Sequence, residues 1–478
     1  MTNKSTKIKS LAKDTGLFAI GSFGSKLLLF LLTPLYTNIL TTEQYGITDL
    51  INTTINFIYP VFTLSISEAT LRFLMDKNYS KRSVLNNSLL ITAFSFVAVF
   101  IIKPFVGHID ESLDVYWIYF FVIFCLTNIN LVLSNFVKGI GKTTLYAVAG
   151  IIHTIVIIIC NVLFLVYFKF GINGYLLSIV IGISVSILLK IIFGNFRQFI
   201  FPIQVDAKVL KDMLVYCIPM IPTIIAWAIN TSIDKYMIIN LIGMSENGIY
   251  SVAHKIPTIL TTVLTIFLNA WQLSAINNHG EKGESEFQSE IYNLFNIVCV
   301  IGCLFTILLN KPLAKILFAK DFYVAWRYVP LLTTSALFAA LAGFLAATYR
   351  AAKKTKSLFV SVLIGAVINV VLNFILLKFI GTIGAAIATG ISFFAVWLFR
   401  IILIQKIVPI KIDFLKTVIA YVLFFLAVII ESFGYEYSFI VSLGVLLVIL
   451  FVYRNDLTRI YSIVLSIIRK KTLKKQNI

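Results

Sequence analysis

Apolar stretches of about 17–25 residues, long enough to cross a ~30 Å hydrocarbon core as helix, follow one another along nearly the whole chain. The first runs from Leu17 to Ile39 and the last from Ser438 to Tyr453. About fourteen such stretches can be drawn, on the criterion of span length. This succession decides the fold class. Of the 478 residues, 59% are hydrophobic and 13% are charged, about half the charged share of a soluble domain. So few polar groups cannot cover a globular surface, and the excess apolar area needs lipid as its solvent. The runs are continuous rather than alternating, which argues against a membrane β-barrel. The expectation is an all-α membrane protein.

Lys and Arg total 40 against 21 Asp and Glu, a net charge of +19. Their distribution assigns the excess to anionic lipid rather than to nucleic acid. With the N-terminus inside, the basic groups collect in inside segments: Arg72, Lys77, Lys81 and Arg82; Arg350, Lys353, Lys354 and Lys356; Arg400, Lys406, Lys411 and Lys416; and Arg469, Lys470, Lys471, Lys474 and Lys475. This positive-inside pattern makes both termini cytoplasmic in a protein with many spans; the expected location is a bacterial cytoplasmic (inner) membrane. Met1 to Lys13 is polar and basic without a cleavable signal, so the first apolar run reads as a retained span. One pair of loops runs against the rule. Glu281, Glu284, Glu286 and Glu290 lie in an inside loop, and Lys311, Lys315, Lys320 and Arg327 in an outside one. Acidic residues weigh little in orientation. Lys311 and Lys315, with Leu313, Ile316, Leu317 and Phe318 around them, read as a short amphipathic helix in the outer interface. The cysteines, Cys125, Cys160, Cys217, Cys299 and Cys303, all sit in apolar stretches. None forms a metal-binding spacing, and small buried hydrophobes are the expectation.

The chain states one pattern twice. Ile39-Leu-Thr-Thr-Glu-Gln-Tyr-Gly46-Ile follows the first span, and Leu241-Ile-Gly-Met-Ser-Glu-Asn-Gly248-Ile the seventh. Lys142-Thr-Thr-Leu-Tyr146 opens the fifth span and Lys354-Thr-Lys-Ser-Leu-Phe359 the eleventh; Gly171 and Gly174 recur as Gly381 and Gly384. The offsets are all roughly 200–212 residues, in the same order, as a duplicated unit requires. Six spans per unit keep the orientation, so the repeats are parallel. The expected organisation is a six-helix bundle over residues 1–205, a second over 206–408, two more spans over 409–453 and a basic cytoplasmic tail over 454–478. A central cavity between two bundles is a transporter layout.

At these motifs the sequence resembles the multidrug/oligosaccharidyl-lipid/polysaccharide exporter superfamily, and within it the polysaccharide-transporter branch of Wzx-type flippases. Leu40-Thr-Thr-Glu-Gln-Tyr-Gly46 is similar to that family's turn after its first helix. Glu68-Ala-Thr-Leu-Arg72-Phe73 resembles the A-x-x-R-F element ending its second. Lys138-Gly-Ile-Gly-Lys142 is similar to the loop before its fifth, and Leu317-Phe-Ala-Lys-Asp-Phe-Tyr-Val-Ala325 resembles its LFG-x-x-[FY]-x-x-A element, with Ala319 in place of the usual glycine. The resemblance covers the first twelve spans. It implies movement of an undecaprenyl-diphosphate-linked oligosaccharide, the repeat unit of a surface polysaccharide such as capsule or O-antigen, between leaflets by alternating access. It implies no covalent step and no cofactor. It also implies work alongside a surface-polysaccharide polymerase and glycosyltransferases.

Ionisable groups inside spans are costly and point to function by default. Lys26 in span one and Lys255 in span eight occupy places comparable to basic residues of the family's cationic cavities. By that resemblance they would hold the diphosphate through charge-assisted hydrogen bonds; the competing role is snorkelling to an interface. Arg72 is a further headgroup candidate, although Glu68 lies one turn away and an ion pair between them accounts for both. Asp234 and Glu68 are candidates for ion coupling. Adjacent Asp234 and Lys235 point about 100° apart on a helix and need not pair. His153 reads as hydrogen-bonded packing, and Asn52, Asn56, Asn230 and Asn269 as sugar path or interhelical glue. Pro34, Pro60, Pro219, Pro222 and Pro257 mark bends, with Pro34 and Pro222 as candidate gating kinks.

Two other substrates stay open: a drug or cation in an antiporter of the same superfamily, and a lipid II or teichoic-acid precursor. Span one carries Lys26 and no carboxylate, against the first. A membrane polymerase or ligase is disfavoured by the short outer loops. No HExxH, Walker A or GxSxG pattern appears, so neither a metal site nor nucleotide hydrolysis is expected.

Overall fold

A computed structural model describes residues 24–76, 78–107 and 110–458 of the chain. Met1 to Lys13, the start of the first apolar stretch, Lys77 and the basic tail from Arg469 lie outside the described residues. Among the described residues there are helices and no strands. Eleven helices are long and apolar enough to cross a membrane, and the bent pair Thr42–Phe62 and Ile66–Leu74 makes up to twelve. They follow the expected order of apolar stretches. The helix Ser438–Val452 that succeeds them is shorter, at 15 residues. The protein is a multi-pass helical membrane protein.

The helices are α1 (described over 24–31), α2 (Thr33–Ile39), α3 (Thr42–Phe62), α4 (Ile66–Leu74), α5 (Lys81–Ile101), α6 (Trp117–Gly139), α7 (Thr143–Asn161), α8 (Gly171–Gly194), α9 (Ala207–Cys217) and α10 (Ile221–Leu241). Then come α11 (Met244–Ala253), α12 (Lys255–Asn277), α13 (Glu284–Leu308), α14 (Asn310–Leu317), α15 (Val329–Ala351), α16 (Thr355–Ile380), α17 (Thr382–Ile404), α18 (Phe414–Ser432) and α19 (Ser438–Val452).

The described residues form two compact units. One runs up to Val252 and includes Leu317–Phe322; the other holds Ala253–Ile316 and the chain from Tyr323 on. The core of the first is built on α3 to α6 and α8, with Leu50, Ile51, Ile66, Phe120, Phe124 and Phe136 fully buried. In the second, α15 is the central helix. Its alanines at 336, 340, 342, 346 and 347 are buried, and small side chains let neighbouring backbones approach without a hydrophobic force to drive them. Trp271 of α12 stacks on Phe344 of α15 at 4.2 Å between ring centroids and donates its indole N–H to the Phe344 carbonyl at 3.2 Å.

Three of the breaks that interrupt the spans have a local cause. Helix α1 ends in a turn at Leu32, and Pro34 sits in the first turn of α2, where its missing N–H costs no intrahelical bond. Between α9 and α10 a short 3-10 turn, Ile218–Met220, carries Pro219, and Pro222 again opens the next helix. Both candidate kinks are therefore helix starts after a break rather than bends in a continuous helix. The third break separates α3 from α4 by 64°. Pro60 lies inside α3, yet the chain turns after it, at Leu64 and Ser65, whose φ values are 49° and 51°. Two consecutive non-glycine residues in this region carry backbone strain. The Thr63 and Ser65 hydroxyls donate to the carbonyls of Tyr59 and Pro60, which satisfies groups the break would leave open in lipid.

Candidate functional site: polar groups within the spans and the repeat-related turns

The two turns that announce the repeat begin helices earlier than the sequence suggests. Thr41 caps α3, accepting the Gln44 backbone N–H while the Gln44 side chain takes the Thr41 N–H. This reciprocal arrangement starts the helix at Thr42, so Tyr45 and Gly46 belong to α3. In the second copy the turn is Ile242-Gly243, with Gly243 at a φ of 136°, and Gly248 lies inside α11.

Within the first unit these two helix starts pack on each other. A Cβ placed on Gly46 would collide with the Met244 carbonyl, and one on Gly248 with the Thr42 carbonyl. Glycine is needed at both for backbone-to-backbone approach. The Thr42 and Ser245 hydroxyls are 2.5 Å apart, and the Asn247 amide donates to the Gly46 carbonyl at 3.2 Å. Farther along, Lys235 of α10 forms an ion pair with Asp49 of α3 at 2.9 Å, and Tyr236 donates to Thr54 at 2.9 Å. The Leu317–Phe322 segment joins the same cluster. Thr37 donates to the Leu317 carbonyl at 2.9 Å and accepts the Ala319 N–H at 3.2 Å, and Lys320 reaches the Asn38 carbonyl at 2.6 Å. Phe322 meets Tyr45 edge-on, 5.7 Å between centroids. Three motifs singled out in the sequence thus converge in one place. They follow spans one, seven and nine of the sequence.

The ionisable residues fall out as follows. Lys26 is exposed on α1. Lys255 is half-buried at the first position of α12, directly after a turn at His254. The two lysines belong to different units. Arg72 is exposed near the end of α4 and Glu68 half-buried one turn before it. They are not among the ion pairs within 4.0 Å of the described residues, so the pairing their spacing allows is not made. Near Arg72, Tyr79 donates to Asp212 of α9 at 3.1 Å, and that hydrogen bond to a carboxylate raises its phenol pKa.

Asp234 is buried, 1% exposed, and its carboxylate accepts the Tyr250 hydroxyl at 2.7 Å. Its neighbour Lys235 points away to Asp49, as a 100° step along a helix requires. One turn before Asp234, Asn230 is 1% exposed, and among the described residues neither of its amide atoms has a hydrogen-bond partner. Asn52 bonds back to the Thr48 carbonyl, while Asn56 and Asn269 are exposed. His153 is half-buried.

The fold, with ionisable groups in its spans and broken helices in both repeats, is that of a multi-pass membrane transporter. A family model described as Polysaccharide biosynthesis protein matches residues 11–272, and a second, MatE, matches 219–375. The chain belongs to the polysaccharide biosynthesis protein family, within the multidrug/oligosaccharidyl-lipid/polysaccharide exporter superfamily. It is 24% identical over 430 residues to an uncharacterized membrane protein of Methanocaldococcus jannaschii, covering 83% of this chain and 99% of that protein. The fold is shared with the lipid II flippase MurJ in an inward closed conformation, with a TM-score of 0.67, 18% identity, and 92% and 99% of the two chains covered. It is also shared with an inward-facing multidrug resistance MATE family transporter, with a TM-score of 0.65, 15% identity, and 80% and 95% covered. A transporter of the same superfamily from Pyrococcus furiosus gives a TM-score of 0.60 at 14% identity, with 82% and 96% covered.

Proposed function

We propose that the protein is a flippase for an undecaprenyl-diphosphate-linked oligosaccharide, moving a surface-polysaccharide repeat unit from the inner to the outer leaflet of a bacterial cytoplasmic membrane. Both termini face the cytoplasm in this reading, and polymerase and glycosyltransferases act before and after it. The observation that carries the reading is the sign of the charge on the first span. Lys26 is exposed there on α1, and the described part of α1 has no carboxylate to attract a cation. Membership of a polysaccharide biosynthesis family supports the sugar-bearing cargo. Lys26, Lys255 and Arg72 hold the diphosphate, and the lipid tail stays in the bilayer. The repeats at 1–205 and 206–408 supply the two bundles that alternate access. The cluster joining α3, α11 and Leu317–Phe322 is the seal on the outer side, and it parts when that side opens. No bond is made or broken in this cycle, so no catalytic residue is assigned.

The test is translocation of a fluorescent undecaprenyl-diphosphate oligosaccharide by purified protein in proteoliposomes. Leaflet exchange well above that of empty liposomes supports the reading. Export of a cationic dye with no exchange of the lipid moves the protein to the antiporter reading, which the MatE match and the MATE-like fold favour.

Two expectations belong to the same assay. If Asp234 couples transport to an ion, Asp234→Asn flips at the same rate with and without an imposed proton or sodium gradient, whereas the wild type is accelerated by one of them. Glu68→Gln is the matched comparison. If the breaks at Leu32 and Met220 are hinges, Pro34→Ala and Pro222→Ala slow turnover severalfold without changing affinity, because each lets a helix run through its break. Unchanged rates in both remove the gating role.

A further inference from the structure

Among the described residues each repeat buries one cation that has no carboxylate beside it. In the first unit this is Lys190 of α8, 2% exposed; in the second it is Arg400 of α17, 3% exposed. The two occupy one repeat position. Lys190 follows Gly171 by the same number of residues as Arg400 follows Gly381, the glycines that open the last helix of each repeat. Among the described residues neither has an Asp or Glu within 4.0 Å.

Their hydrogen bonds differ in kind. The Lys190 ammonium donates to Asn130 Oδ1 at 2.5 Å, Ser134 Oγ at 2.7 Å and Ser186 Oγ at 3.1 Å. Three donors thus meet three neutral side-chain oxygens. The Arg400 guanidinium donates from Nε to Ser361 Oγ at 2.9 Å and from Nη1 to the Ala342 backbone carbonyl at 2.8 Å. Asn130 and Ala342 stand equally far before Lys142 and Lys354, so they too are repeat equivalents. One contributes a side-chain amide, the other a main-chain oxygen. Each repeat thus brings a positive group from its sixth helix to the same place on its fourth. The side chain and its acceptors differ between the two copies, and the charge is what they share. A staple between helices needs only hydrogen bonds or packing. An unneutralised charge in a span is costly and adds nothing to a staple that a serine or asparagine would not.

We infer that Lys190 and Arg400 are fixed, repeat-related charges that set the specificity of the transporter for a multiply anionic headgroup, the class that the proposed flippase function requires and on which this inference rests. They act through space rather than by contact, since in low-dielectric surroundings a charge is screened far less than in water. The positive-inside reading places both near the inner ends of their helices, on the side where the headgroup enters. Lys138 and Arg350, a repeat-related pair at the ends of α6 and α15, add charge of the same sign, each within its own unit. The sequence alone hides the pair. Arg400 reads as one of the loop cations that set orientation, whereas it lies buried within α17.

The experiment neutralises the charge while keeping the staple. Ser134→Asp on α6 and Ser361→Asp on α16 put a carboxylate where hydroxyls of a neighbouring helix accept now, so each helix contact survives as an ion pair and the net charge is lost. Proteoliposomes carrying each variant, the double variant and the wild type are assayed with two probes bearing one sugar, a prenyl diphosphate and a prenyl monophosphate. The expected result is that the double variant loses the preference for the diphosphate by about tenfold, within the 5–150-fold span of ordinary site-to-site coupling, with the thermal unfolding temperature in detergent unchanged or raised. Lys190→Gln and Arg400→Gln, which keep hydrogen bonding without the charge, reproduce that loss. A preference that stays at the wild-type value in folded variants of both kinds overturns the inference and leaves the flippase reading intact. Failure of the wild type to flip either probe sinks the flippase reading itself, and this inference with it.

Discussion

Replacing Lys26 and Lys255 together by alanine is expected to abolish measurable exchange of the diphosphate-linked oligosaccharide, and each replacement alone to slow it by about 10–100-fold. The magnitude follows from the chemistry. A hydrogen bond to a charged group contributes about 1.5–3 kcal/mol, and each 1.36 kcal/mol is a factor of ten. If both ammonium groups bind the same diphosphate, their losses compound. Lysine to arginine keeps the charge but replaces a compact, rotatable donor with a planar fork, so Lys26→Arg and Lys255→Arg are expected to recover part of the rate. The effect should fall mainly on the apparent affinity for the lipid. Surface expression and thermal stability should stay near wild type, because Lys26 is exposed and Lys255 half-buried. Full-rate flipping in the double alanine variant would remove these lysines from the site and leave the transporter class untouched.

Much of the fold is legible in the sequence because the membrane simplifies the problem. A span must be long, apolar and helical, and these properties are local, so the order of apolar stretches matches the helices. The repeat is legible for a related reason. Gly46 and Gly248 are held by close backbone contact, a constraint that a single residue type satisfies and that survives in the string. What the sequence hides is the choice of partner. Asp234 and Lys235 are neighbours, yet one accepts Tyr250 and the other reaches Asp49; nothing local distinguishes them. Glu68 and Arg72 have the spacing of an ion pair and do not form one. The turn at Leu64 and Ser65 has no glycine to announce it, and Pro60 marks the neighbourhood without marking the place. The headgroup residues and the kinks rest on resemblance and position. They await the flipping assay.

Locking the contact between the two repeat-related helix starts is expected to stop turnover completely and reversibly. Thr42 and Ser245 present hydroxyl oxygens 2.5 Å apart, so sulfurs on the same Cβ atoms lie within bonding reach after a small rotation. The variant Thr42→Cys/Ser245→Cys is made in a background in which the five native cysteines are replaced by alanine or serine. Oxidation should then join α3 to α11 within the first unit. If the outer side opens by parting this contact, the oxidised protein binds lipid and does not flip it, and a reducing agent restores the full rate. The reduced double-cysteine protein serves as its own control for folding. A second variant approaches the contact from the other direction. In Gly248→Ala the new Cβ meets the Thr42 carbonyl, a backbone atom that no rotamer change can move aside. The closed arrangement should weaken, and a thiol probe placed on α3 just beyond Asp49 should react faster than in the otherwise wild-type protein. Asp49→Asn acts more mildly in the same sense, since it leaves Lys235 without its counter-charge at a site that still has partial access to water, where an ion pair is worth less than in a dry interior. Undiminished turnover in the oxidised, demonstrably cross-linked protein would mean that this contact stays closed throughout transport, and the opening would then have to occur elsewhere.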